Sequence, residues 1–136
     1  MDFSTVKTYG GTAAAEESMN GIALASTLVL VLAAPAAMAA ENRCGWVENP
    51  TPGNWWLTDR DGQWIIMSQG GHEAPGMEHI GDISAGDYVA TNGNYGYACG
   101  CMKVDTDGEG MITRIHSFRQ LAIAKCENDS ALSTPQ

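Results

Sequence analysis

Apolar and polar positions along the chain change character once. Gly21 to Leu32 is an uncharged apolar run of twelve residues, and nothing as long recurs. Beyond it the apolar positions come in short groups separated by Gly, Pro, Asn and Asp, the signature of short strands and turns. Asn54-Trp55-Trp56-Leu57-Thr58 reads as a strand, Asp59 to Gly62 as a turn and Gln63 to Ser68 as the returning strand. Tyr88 to Thr91, the pair Asn92-Gly93 and the chain from Asn94 onward give a second hairpin, because Asn-Gly favours a two-residue turn. In that second strand Tyr95, Tyr97, Cys99 and Cys101 alternate with Gly96, Ala98 and Gly100. One face is bulky and the other nearly bare, which lets a backbone or a ring approach closely. Asp105 to Gly110 is an acidic turn, Met111 to His116 a further strand, and Leu121 to Ile123 a last short apolar run. Asn49 to Gly53 is a rigid Pro-containing turn, and Gln69 to Gly86 a long Gly-rich loop with room for one helical turn. Five or six short strands predict a mostly β fold: a small single antiparallel β domain with some α+β character.

The apolar run has the form of an export signal. Ala37 and Ala39 stand at the −3 and −1 positions of a signal-peptidase site, so residues 1–39 are expected to be removed. The run is too short for a permanent membrane helix, and no Cys at the cleavage point suggests a lipid anchor. The segment before it carries Lys7 against Asp2, Glu16 and Glu17, whereas a signal begins positive; a true start nearer Met19 accounts for this. The competing assignment is a mature N-terminal helix that buries residues 21–39. Residues 40–129 then form the domain and 130–136 a frayed tail, in a periplasmic or secreted protein with no stable membrane insertion after cleavage.

Composition narrows the possibilities. The whole chain carries a net charge of −9, and residues 40–136 hold six Lys and Arg against thirteen Asp and Glu. Nucleic acid is therefore excluded as a partner, since it demands a basic patch. Leu, Ile, Val and Phe number only 14 in residues 40–136, which puts the weight of the core on four Trp, three Tyr and four Met. Cys44, Cys99, Cys101 and Cys126 read as two disulfides in an oxidising compartment. A Cys99–Cys101 bridge would close a very small ring. If that segment is extended, both thiols point to one side. One would then reach Cys44 and the other Cys126, tying both chain ends to one central strand. A zinc site is the rival, but it usually shows paired CxxC or HxxxH spacings, which are absent.

The segment from Arg43 to Cys126 resembles a family of small exported bacterial proteins catalogued only as a domain of unknown function. The match is carried by Arg43-Cys44-Gly45-Trp46, by Asn49-Pro50-Thr51-Pro52-Gly53-Asn54-Trp55-Trp56-Leu57-Thr58-Asp59, and by Asp61-Gly62. Trp64, Gln69-Gly70-Gly71, Thr91-Asn92-Gly93-Asn94-Tyr95-Gly96-Tyr97, Cys99 and Cys101 continue it. The resemblance implies the boundaries, the export and the cysteine framework, and no activity.

Trp55 and Trp56 are adjacent, so in a strand they face opposite sides, and one of them is expected to be exposed or covered only by a loop. Three roles compete for the tryptophans: filling a core short of aliphatics, anchoring a protein interface, or stacking on a sugar ring. Asp105, Asp107 and Glu109 alternate like the first half of a calcium loop, but the twelfth position is His116 rather than Glu. His72, Glu73, Glu78 and His79 are spaced unlike HExxH, and a solvated loop accounts for them. Ser68, Ser84 and Ser117 occupy no nucleophile elbow. No catalytic residue, metal or cofactor is expected. The expectation is a non-catalytic protein-binding module, of inhibitor or accessory-subunit type, using Asn54, Trp55, Trp56, Asn92, Asn94 and Tyr95. A basic envelope protein would suit its acidity. The alternative is a domain that binds cell-wall glycan, and a third possibility a small metal-dependent hydrolase using His72 and His79.

Overall fold

The computed structural model describes residues 39–136, so the export segment expected upstream lies, but for Ala39, outside the described residues. Six strands form one antiparallel sheet: β1 (Glu41–Thr51), β2 (Asn54–Asp59), β3 (Gly62–Met67), β4 (Tyr88–Asn92), β5 (Tyr95–Thr106) and β6 (Ile112–Leu121). A five-residue helix, α1 (Ile123–Glu127), follows. The order is β3-β2-β1-β5-β4, with β6 also paired to β5. β5 is the spine. One edge pairs with β1 from Gly96 to Val104, and the other pairs first with β4 and then, from Cys99, with β6.

Both expected hairpins and the mostly β class hold, but the middle of the sheet was not expected. β1 is hidden in the sequence because Gly45 and Pro50 interrupt its alternation, so that Asn49 to Gly53 reads as turn alone. Pro50, which has no N–H to donate, lies past the last β1–β5 pair and within the β1–β2 register shift between Glu48 and Thr51. It therefore costs the sheet little. At the other end, β6 runs on to Leu121, and the last apolar run divides between this strand and α1.

The Gln69 to Gly86 segment is more ordered than a plain loop, with 3-10 turns at Met77–His79 and Ile83–Ala85. Its residues 73–76 form a strap that closes the curled sheet. Ala74 N donates to Ile66 O of β3 at 2.9 Å, and Ile115 N of β6 donates to Pro75 O at 2.8 Å. Ile65 N also donates to Gly110 O at 2.8 Å, in the β5–β6 turn. Two strands far apart in sheet order are thereby joined, which satisfies edge groups that would otherwise invite another chain.

The enclosed side holds the main core, including Val47, Leu57, Trp64, Ile66, Ala98, Met102, Val104, Ile112 and Ile115, with Trp55 and Phe118 packed against it. Burying each large apolar side chain contributes about 1.5–3 kcal/mol. The bare face of β5 serves this curl. A Cβ at Gly96 would run into the Val89 carbonyl, and one at Gly100 would stand 2.5 Å from the Phe118 ring. On the outside, α1 covers a second cluster of Trp46, Cys99, Ile123 and Cys126, against which Val89, Tyr97, Leu121 and Leu132 pack.

The disulfides are Cys44–Cys101, between directly opposed residues of β1 and β5, and Cys99–Cys126, from β5 to α1. Both chain ends are tied to β5, and the structure decides which thiol takes which end. The bridges differ in access. Cys44 is exposed, whereas Cys99 and Cys126 are 1% and 3% exposed. Exchange requires a thiolate to reach sulfur. Graded reduction with alkylation and peptide mass mapping is therefore expected to label Cys44 and Cys101 first. Equal labelling of Cys126 at the same reductant concentration would show that burial does not protect the second bridge.

Candidate functional site

The outer face of the sheet carries one continuous row across five strands. Ile65 of β3 opposes Trp56 of β2, Trp56 opposes Glu48 of β1, Glu48 opposes Tyr97 of β5, and Tyr97 opposes Val89 of β4. Directly opposed residues share a face, with side chains about 5 Å apart. Their sequence neighbours Val47, Leu57, Trp64 and Ala98 belong to the enclosed core, so the row looks outward. All five of its side chains are half-buried. Tyr97 is held edge-on against the buried Trp46, with ring centroids 5.1 Å apart and planes at 83°. Trp46 in turn packs with α1, which the Cys99–Cys126 bridge anchors. The cystine thus preorganises the aromatic row.

Glu48 is the polar centre of this row. Thr58 Oγ1 donates to its Oε2 at 2.6 Å. Burial pushes its carboxyl above the usual glutamate range, with the Thr58 hydroxyl and the nearby Trp56 indole N–H partly offsetting that. The Trp56 N–H nevertheless completes no hydrogen bond and is itself buried, as is that of Trp46. No Lys or Arg among the described residues pairs with Glu48. Because the folded pKa is raised, the charged form costs stability. That cost is full above the folded pKa and absent below the unfolded one.

A second charged constellation lies at the Glu41 end of β1 and is complete. Arg43 pairs with Asp59 at 2.7 Å, Glu41 at 2.6 Å and Asp61 at 3.2 Å, while its guanidinium lies 3.7 Å over the Trp64 ring. Asp59 also accepts from Trp64 Nε1 at 3.1 Å and from Asp61 N at 2.8 Å. Burial works against the guanidinium's charge, and hydrogen bonds to Asp59, Glu41 and Asp61 more than offset it, so its pKa stands above the ordinary value. A shallow hollow of about 260 Å³ beside it is lined by Asn42, Cys44, Arg60, Asp129 and Leu132 among others. Each of the three carboxylates already accepts from Arg43, so the constellation ties β1 to β2 and the β2–β3 turn.

The residues singled out from sequence separate. Trp56 belongs to the outer row. Trp55 turns the other way, and both are half-buried, Trp55 against the main core. Asn54 is occupied, its amide donating to Thr51 Oγ1 at 2.6 Å and its oxygen accepting from Gln69 N at 3.0 Å. Asn92 and Asn94 are exposed around the β4–β5 turn, where the Asn94 carbonyl accepts from Tyr88 Oη at 2.7 Å. Tyr95 is half-buried opposite Asn92. Asn54 opposes Thr51, and Asn49 opposes Gly96, so these positions share one end of the sheet.

Of the other candidates, His72 Nε2 donates to Ile112 O at 2.7 Å, pinning the loop after β3 to β6. Asp107 Oδ1 accepts from the N–H groups of Glu109 and Met111 at 2.8 and 2.9 Å, which organises the acidic turn. Among the described residues no cluster of three or more His, Cys, Asp or Glu could hold a metal. Glu48, Tyr97, Ile65 and Val89 were missed. The sequence marks the aromatics, but with β1 unrecognised nothing in it sets Glu48 between Trp56 and Tyr97.

Among the described residues no helix is long and apolar enough to cross a membrane, and two disulfides fit an oxidising, non-cytoplasmic location. Residues 38–133 match a family model described as protein of unknown function (DUF4087). No curated protein and no solved structure matches the chain.

Proposed function

We propose that this chain, which belongs to the DUF4087 family, works in the periplasm as a non-catalytic module that docks a basic envelope protein on the outer face of its sheet. What supports this is the half-open row Ile65–Trp56–Glu48–Tyr97–Val89. Aromatic anchors on a rigid sheet cost little entropy to order, and Trp and Tyr dominate interface energetics. The excess of acidic residues favours a basic partner and speeds its approach. An inhibitor or accessory subunit fits this description. Glycan binding is the weaker alternative, because the Asn54 amide that would hold sugar hydroxyls is already bonded within the fold.

Wild type and Trp56→Ala, the latter checked for an intact fold by circular dichroism, are to be used as baits for an envelope extract. A captured protein is then identified, purified and measured by calorimetry. The expected result is direct binding of a basic protein that weakens about thirtyfold or more in Trp56→Ala, as for an interface hot spot. Binding indifferent to that substitution would remove the row from the interface. Peptidoglycan fragments that shift Trp fluorescence, with no protein captured, would move the function to the glycan alternative.

A further inference from the structure

We propose that Glu48, between Trp56 and Tyr97, is a slot for one arginine side chain of the docked protein. This deepens, and rests on, the protein-binding function above. The protein displays the filled version of such a slot elsewhere in its own fold. Asp59 accepts from the indole N–H of Trp64, and Arg43 both pairs with that carboxylate at 2.7 Å and lies 3.7 Å over the indole. The outer face repeats the first two parts: a carboxylate beside an indole N–H, on adjacent strands, with a second ring on the far side. The cation is the part it lacks.

Three features make the slot suited to arginine. Glu48 uses one oxygen for Thr58 and is half-buried rather than closed over, which leaves a carboxylate edge that a guanidinium fork can meet. Trp56 and Tyr97 are its directly opposed neighbours on the two flanking strands, with Cβ atoms about 5 Å to either side, so that a cation held on the carboxylate lies within reach of aromatic side chains. Arginine is more weakly hydrated than lysine and loses less on entering a half-dry site. A half-buried charge that costs stability in the free protein recovers that cost when a cation arrives, a common arrangement at binding sites.

The test uses the peptide acetyl-Gly-Arg-Gly-amide and its neutral citrulline counterpart, titrated into the 15N-labelled protein and its Glu48→Gln variant. The Trp56 indole N–H resonance is the reporter. The expected result is a saturable shift of that resonance, with the arginine peptide binding about tenfold tighter than the citrulline peptide. Glu48→Gln is expected to reduce arginine binding to the citrulline level while its melting temperature at pH 7 stays equal or rises, because glutamine still accepts from Thr58 and carries no charge. A purely structural Glu48 would instead lower stability when replaced. Equal binding of the two peptides, or arginine binding untouched by Glu48→Gln, would overturn the slot. Should a captured partner depend on Trp56 and be indifferent to Glu48→Gln, the slot falls and the docking function stands. If the arginine peptide binds as described but no protein is captured, the arginine site stands and its assignment to a docked protein falls with the docking function.

Discussion

Replacing Arg43 by methionine is expected to cost about 3–5 kcal/mol. The side chain is 14% exposed and the Asp59 carboxylate beneath it 4%. Methionine roughly fills the volume over Trp64 but leaves the nearly buried Asp59 carboxylate as an unpaired charge. The damage extends further, because Glu41, which Arg43 holds, also accepts from Thr106 Oγ1 at 3.1 Å and so ties β1 to β5. Urea unfolding at pH 7 measures the loss. Arg43→Met combined with Asp59→Asn should regain more than half of it, since the buried charge is then gone while the Trp64 indole keeps an acceptor. A single variant within 1 kcal/mol of wild type would show that the constellation only decorates the surface.

Gly76→Ala is expected to be nearly as harmful, at about 2–5 kcal/mol, for a different reason. Gly76 has φ +99, a conformation L side chains rarely adopt, and a Cβ there would run into the backbone carbonyl of Ile115. That carbonyl belongs to the residue whose N–H donates to Pro75 O of the strap. Neither backbone can retreat without opening the closure between β3 and β6. Gly81 is the control: its φ is +64, with nothing within 4 Å of the added Cβ. Gly81→Ala should therefore cost only the conformational part, about 1 kcal/mol. Equal melting curves for the two variants would mean that the strap yields freely and does not hold the sheet closed.

The sequence made the hairpins legible because their turns are local. Asn92-Gly93 and Asp59 to Gly62 set chain reversals through a few backbone angles, and the alternation beside them needs no distant information. The same holds for the cystines. An extended Cys99-Gly100-Cys101 aims both thiols to one side, which with one cysteine near each end of the domain leaves little choice beyond which goes where. Asn54 misled for the opposite reason. Its composition suggests a surface amide, yet both ends of that amide are taken by Thr51 and Gln69, and Gln69 lies fifteen residues on. Trp55 likewise looks no different from Trp56 until the sheet curls and one face becomes an interior.

By itself, then, the sequence determined a small, acidic, cystine-tied β domain with two hairpins and a surplus of indoles. These follow from local turn chemistry, from alternation and from composition. Only the tertiary structure decided that β1 lies at the centre, that residues 73–76 close the sheet, and that Glu48 stands between Trp56 and Tyr97 without a cation. Those are matters of register between paired residues 47 to 63 apart in the chain, as from Asn49–Gly96 to Glu41–Val104. Register is fixed jointly by every pair in the ladder and by the core that the curl encloses, so no single stretch of sequence contains it.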